Sequence, residues 1–288
     1  MKEDSQGEIL PSGSTATHEV FNQSPVFQDV NLFTTDIALG EAAAREGAES
    51  ATEGLATLGA KAGSAYVLEL GRLANENTPR LRRFDEKGFP LDKVEFHPAY
   101  HELMALSFQE GLHASSWEPL LAGRPAQPGA HVARGARLYM ISQAEAGHMC
   151  PITMTHACVP ALKANETLLR RLAPKLASRD YDPAFAPIAA KRSLTIGMGM
   201  TEKQGGTDVR ANTTRAVPLD RSGRYALTGH KWFMSAPMCD AFLVLSYAPG
   251  GLSCFFLPRF RDDGQPGAIR IQRLKDKLGN RSNASSEV

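Results

Sequence analysis

Apolar positions along the chain follow two different rhythms. Up to about residue 192 they recur at spacings of three and four, the signature of helices with one buried face. Asp36 is placed to cap a helix beginning near Ile37, and Leu39 to Ala48 is rich in the helix formers Ala and Glu. Tyr66, Leu70, Leu73 and Ala74 predict a helix over Ala60 to Asn75, ended by Asn77-Thr78-Pro79. Arg80 to Asp92 is charged and broken by Gly88 and Pro90, and is expected to be a loop; Val94 to His97 reads as a short extended piece. Pro98 suits the first turn of a helix to Leu112. Val132, Leu138, Ile141 and Ala144 predict a core helix over His131 to Gly147, with Cys150 to Ala164 a buried helix against it. Pro174, Pro183 and Pro187 mark a connection.

From about Ser193 the rhythm changes to short apolar runs between turn residues. Leu194–Met200, Thr213–Pro218, Tyr225–Thr228, Ala241–Tyr247, Ser253–Leu257 and Ile269–Leu274 are the expected strands. Helices first and strands second give an α+β chain. The expectation is a disordered leader over 1–18, an all-helical domain over 19–192, and an antiparallel β-barrel or sandwich over 193–288. Val20 to Leu32 is expected to wrap the helical domain as extended coil. The last residues, Asn283 to Val288, show no turn or cap, so a truncated sheet is expected.

Composition narrows the function classes. The 288 residues are 42% hydrophobic and 22% charged, as in globular proteins. The formal net charge of +1 gives no support to a nucleic-acid coat. Cys150, Cys158, Cys239 and Cys254 form no C-x-x-C pair and no zinc-type cluster, so free thiols and no metal site are expected. No apolar leader and no long apolar run occur, which points to a cytoplasmic chain without a membrane span. His148 and His156, on an apolar helix, read as satisfied core residues.

Two stretches carry chemistry. The first is Met198, Gly199, Met200, Thr201, Glu202, Lys203, Gln204, Gly205, Gly206, Thr207 and Asp208. Hydroxyls and paired glycines in one loop suit the close approach of a phosphate-bearing ligand. The second is Gly229 to Pro237, where Trp232 and Phe233 stand beside Met234 and Ser235. Aromatic faces plus N–H donors suit a planar cofactor with a pyrophosphate.

The order of these parts resembles the acyl-CoA dehydrogenase flavoproteins. Met-Thr-Glu-x-x-x-Gly-Thr-Asp is followed by Gly-x-Lys-x-aromatic-x-Ser and by the block Lys275-Asp276-Lys277-Leu278-Gly279-Asn280-Arg281-Ser282. Within that family these stretches, with Leu252–Phe260 and Pro151–Thr155, look most like the bacterial alkylation-response subgroup. The resemblance implies FAD as cofactor and an acyl-CoA-like ligand. Thr201 would hydrogen-bond the flavin ring. Gly206 and Thr207 would meet the pyrophosphate or a substrate edge. Phe233 would stand where the family has tryptophan, and Ser235 where it has threonine near the flavin N5. Trp232, one position off, is assigned to packing. The family's catalytic glutamate lies in a C-terminal helical domain that follows the β domain. In the family that domain also completes the FAD site, and no residue of this chain takes the part of the base, so the expectation is weak FAD binding and little turnover by this chain alone. The family's homotetramer contacts, and the subgroup's DNA contacts, would likewise come from that missing region. The alternative reading is a DNA-associated damage-response flavoprotein with vestigial dehydrogenase activity.

Overall fold

A computed structural model gives the arrangement of residues 17–288; the expected leader lies outside them except for its last two residues. The described residues begin as an exposed arm and first become buried at Leu32 and Phe33. α1 (Ile37–Arg45) starts where Asp36 accepts the Leu39 N–H at 2.9 Å. The single helix expected over Ala60 to Asn75 is two, α2 (Thr52–Ala62) and α3 (Ala65–Glu76). The break has a cause at Gly63. The arm crosses so closely that a Cβ there would stand 2.0 Å from the Val30 carbonyl oxygen. Ser64 restarts the helix by accepting the Val67 N–H.

The expected loop over Arg80 to Asp92 is a hairpin. β1 (Arg80–Phe84) pairs antiparallel with β2 (Pro90–Glu95), Leu81 opposite Val94. Asp85 accepts the N–H groups of Lys87 and Phe89 and makes the turn. Val94 is buried with Ile271 and Ala284, so the hairpin packs on the β-rich half.

α4 (Pro98–Gln109), the short α5 (Glu118–Leu121), α6 (Ala130–Ala144) and α7 (Met149–Leu162) follow. α8 (Glu166–Leu176) occupies part of the expected connection. Asn165 caps it, and Leu172 and Leu176 are buried. Pro174 sits in its last turn, where a proline shapes the exit of a helix rather than splitting it.

α7 joins the two halves. On one side Ile152 belongs to the helical core with Leu55, Leu103, Phe108 and Met140. Elsewhere along it, Cys158 and Val159 meet Leu194, Ile196 and Leu243, and Met154 meets Met234 and Phe242. Fully burying each such side chain stabilises by about 1.5–3 kcal/mol.

The strands are β3 (Ile196–Gly199), β4 (Arg215–Pro218), β5 (Tyr225–Thr228), β6 (Met234–Ser235), β7 (Ala241–Ala248), β8 (Gly251–Pro258), β9 (Arg273–Leu274) and β10 (Ser286–Glu287). Their order is β5-β4-β7-β3-β6-β10-β9, with β8 on β7. This corrects the expected antiparallel barrel or sandwich. β3 and β4 both run parallel to β7, and among the described residues the sheet does not close. The strand expected over Ile269–Leu274 is reduced to its last two residues. The final residues are paired, as β10 between β6 and β9. All four cysteines are free. Among the described residues no helix is long and apolar enough to cross a membrane.

Candidate cofactor site

The two stretches singled out by sequence lie side by side. β3 pairs antiparallel with β6, Met198 opposite Ser235 and Gly199 opposite Met234. Past the strands, the Trp232 N–H donates to the Thr201 carbonyl at 2.9 Å, and the Lys203 N–H to His230 Nε2 at 3.2 Å. β10 buttresses the pair. Lys231 and Val288 exchange backbone hydrogen bonds of 2.9 and 3.1 Å, and Ser286 Oγ donates to the Met234 carbonyl.

The loop after β3 turns back at once, with reciprocal N–H···O bonds of 2.9 and 3.1 Å between Glu202 and Gly205. Gly205 is fixed by the protein's own packing, since a Cβ there would lie 2.5 Å from the Asp208 carbonyl oxygen. Gly206 differs. A Cβ there would meet only the Thr201 side chain, at 3.8 Å. The space in front of Gly206 is therefore open, and nothing in the fold itself demands glycine. Thr207 and Asp208 are exposed, Asp208 pairing with Arg210.

Glu202 faces inward. Its Oε1 accepts from the Thr214 N–H and hydroxyl and from Lys231 Nζ at 2.9 Å. Its Oε2 accepts from the Thr213 N–H at 2.7 Å, from the Thr213 hydroxyl and from Gln204 Nε2. Both Glu202 and Lys231 are buried. Burial alone would push the carboxyl pKa up. Hydrogen bonds from Thr213, Thr214 and Lys231 together outweigh it and hold the group well below the usual carboxylate range. Glu202 thus anchors the loop from behind, and neither oxygen is free for chemistry.

Thr201 is the opposite case. Its Oγ1 is buried and has no hydrogen-bond partner among the described residues. Such a hydroxyl costs about 1–3 kcal/mol unless something pairs with it. Phe233 presents a 45% exposed ring and Ser235 a half-buried hydroxyl. Immediately beyond, Ala236 takes φ 51, a left-handed conformation that costs an alanine energy and ends β6 abruptly. Trp232 precedes β6 in a cation-rich setting: Lys203, Arg273 and Lys275 all lie over its ring, and Lys275 also reaches Phe233 at 4.3 Å. Met198 and Met200 are partly buried against the core that includes Ile196 and Leu243.

A planar ligand with hydrogen-bonding edges would find here a ring face, two hydroxyls and a gap beside an exposed glycine. Sequence reasoning named those groups; it quoted Lys231 and Lys275 within the motifs without giving them a role, and passed over Ser286. The lysine in Gly-x-Lys was the available signal for Lys231; Ser286 carries none. Among the described residues no His/Cys/Asp/Glu group is arranged to hold a metal ion.

Acid should weaken this chain in two stages. Burial pushes His113 and His156 down to about 4 from 6.5. Glu145, where burial is outweighed by hydrogen bonds from His148 and Gly147, is held at about 2, and Glu202 is depressed too. A group with a depressed folded pKa stabilises fully above its unfolded value and loses that contribution as pH falls toward the folded one. Denaturant unfolding at stepped pH is expected to show a first loss from pH 6.5 toward about 4, and a second from 4.5 toward about 2. Constant stability between pH 7 and 4.5 would contradict the histidine assignment.

Comparison with known proteins adds the family. Residues 22–183 match the family described as adaptive response protein AidB N-terminal domain, and residues 197–288 match the acyl-CoA dehydrogenase middle domain. AidB of Escherichia coli (strain K12) is 52% identical over 273 residues, covering 94% of this chain and 49% of that protein. Caenorhabditis elegans ACDH-11, solved in complex with C11-CoA, superposes with a TM-score of 0.77 at 28% identity, over 94% of this chain and 47% of that one. An acyl-CoA dehydrogenase from Bacillus anthracis, solved with FAD, shares the fold at a TM-score of 0.51 and 18% identity, over 66% of this chain and 30% of that one. The chain spans about half the length of the first two.

Proposed function

Because this chain belongs to the AidB branch of the acyl-CoA dehydrogenase family, we propose that Met198–Thr207 and Phe233–Ser235 form one side of an FAD site, and that the whole protein is an acyl-CoA dehydrogenase-like oxidoreductase acting on CH–CH bonds. The observation that carries this reading is the Thr201 hydroxyl, buried without a protein partner beside the open space at Gly206.

FAD, when bound, supplies the hydride acceptor for the β-carbon of an acyl thioester. The chain's residues supply orientation. Thr201 would donate to the flavin ring, Phe233 would lie against it, Ser235 would offer it a hydroxyl, and Gly206 and Thr207 would meet the pyrophosphate or a substrate edge. The family resemblance gives the α-proton to a carboxylate, which must have a free oxygen to act as general base. Glu202 is committed to Lys231 and the two threonines, and Glu287 to Lys203 and Arg273. The cradle therefore holds the cofactor and leaves the base to another group. A cavity of about 270 Å³ adjoins Ala236, the residue after Ser235; its wall mixes Tyr100, Met104, Pro151 and Met238 with the charged Lys93, Glu95, Asp182 and Lys191, which suits a ligand with polar as well as apolar surface.

Thr201→Val removes the orphaned hydroxyl at nearly constant volume. FAD affinity, read by quenching of flavin fluorescence, is expected to fall about tenfold, the worth of one hydrogen bond. Unchanged affinity would remove Thr201 from the site.

A further inference from the structure

Glu145, at the end of α6, is 3% exposed, and its carboxylate gathers donors from distant parts of the chain. Oε1 accepts from the Gly147 N–H at 2.7 Å, Ser282 Oγ at 2.8 Å and Asn75 Nδ2 at 3.1 Å. Oε2 accepts from the His148 N–H and from His148 Nδ1, each at 2.8 Å. On its far side His148 Nε2 meets Ser107 Oγ at 2.9 Å. Ser107, His148 and Glu145 have the spacing of a hydrolytic triad. Ser107 and His148 are both 0% exposed and no substrate reaches them, so the arrangement serves the fold.

The informative member is Ser282, because it comes from the β-rich half. It approaches so closely that a Cβ on Gly147 would stand 2.0 Å from its hydroxyl. From Ser282 the chain runs directly into β10, which pairs with β6 at Met234 and exchanges backbone bonds with Lys231. Cys150, at the start of α7, packs against the cluster that holds Met234 and Ala236. The segment 282–288 is therefore a strap, fastened at one end to Glu145 and at the other to the strand carrying Ser235.

We propose that Glu145 is a positioning residue for the cofactor site, acting through Ser282 to lock the strap and so the Met234–Ser235 strand against the helical half. This rests on the flavin reading of Ser235. The carboxylate is required because five donors converge on it; an amide would turn an N–H toward them.

The test uses the 288-residue chain with Ser282→Ala, which cuts the strap, and Ser107→Ala, which removes a hydrogen bond from the same network on the side away from the site. Amide exchange is read at Lys231 and Val288 without flavin, and FAD affinity is read separately. Ser282→Ala is expected to speed exchange at both amides about tenfold and to weaken FAD binding about tenfold, the worth of one charge-assisted bond. Ser107→Ala is expected to leave both near wild type. Exchange at Lys231 and Val288 that is unchanged in Ser282→Ala, or raised equally in Ser107→Ala, overturns the strap. Faster exchange in Ser282→Ala with FAD affinity unchanged also overturns the positioning role. If wild type binds no FAD while the exchange difference holds, the flavin reading fails and the mechanical link stands.

Discussion

Glu202→Ala is expected to cost about 3–5 kcal/mol of folding stability and to open the loop in front of Thr201. The size follows from what the substitution strands. The Lys231 ammonium is 3% exposed, and its acceptor is Glu202 at 2.9 Å. Removing that carboxylate leaves a buried charge without compensation, together with the N–H groups of Thr213 and Thr214. Repulsion is not the issue, so removing the charge as well should recover part of the loss. The double variant Glu202→Ala with Lys231→Met is expected to be more stable than Glu202→Ala alone, a coupling visible in a double-mutant cycle. Denaturant unfolding measures both. A loss below about 1 kcal/mol for Glu202→Ala would mean that the pair is solvated and does not anchor the loop.

Gly206 should behave in the reverse way. A Cβ at this position has no close protein neighbour, and the backbone is outside the left-handed region. Gly206→Ala and Gly206→Val are expected to leave the melting temperature within a few degrees of wild type. FAD affinity should fall by about tenfold for alanine and by more for valine, because each added methyl fills space assigned to the cofactor. Gly205→Ala is the contrasting variant. There the Cβ meets the Asp208 carbonyl oxygen at 2.5 Å, so stability itself should drop. Equal FAD affinity across the Gly206 series would place the ligand elsewhere.

The contrast between these two neighbours shows how far the sequence could be read. Paired glycines marked a tight loop, but only the packing separates the one the fold needs from the one that leaves space. Glu202 stands in the motif as if it faced a ligand, and nothing in its spacing reveals that it turns inward toward Lys231. Helices such as α6 and α7 were legible because their apolar faces repeat over several turns. The β1–β2 hairpin was hidden because its outward positions carry Arg82, Lys93 and Glu95, so charge masked a two-stranded element with a buried Val94. α8 was hidden by Pro174, which breaks a helical pattern on paper but falls at the helix end. The strands of the β-rich half were visible as apolar runs. Their parallel pairing with β7 was not, since it depends on partners far apart in sequence. The bond from Ser282 to Glu145 spans 137 positions and leaves no local trace.

The central claim is that Met198–Thr207 and Phe233–Ser235 hold FAD. Its most direct test is titration of the purified chain with FAD, followed by flavin fluorescence and by the visible absorbance of the bound fraction, with Gly206→Val in parallel. Weak but saturable quenching by FAD, weakened further in Gly206→Val without loss of fold, is the predicted result. No saturable binding by the wild-type chain, or identical binding by the variant, would contradict it.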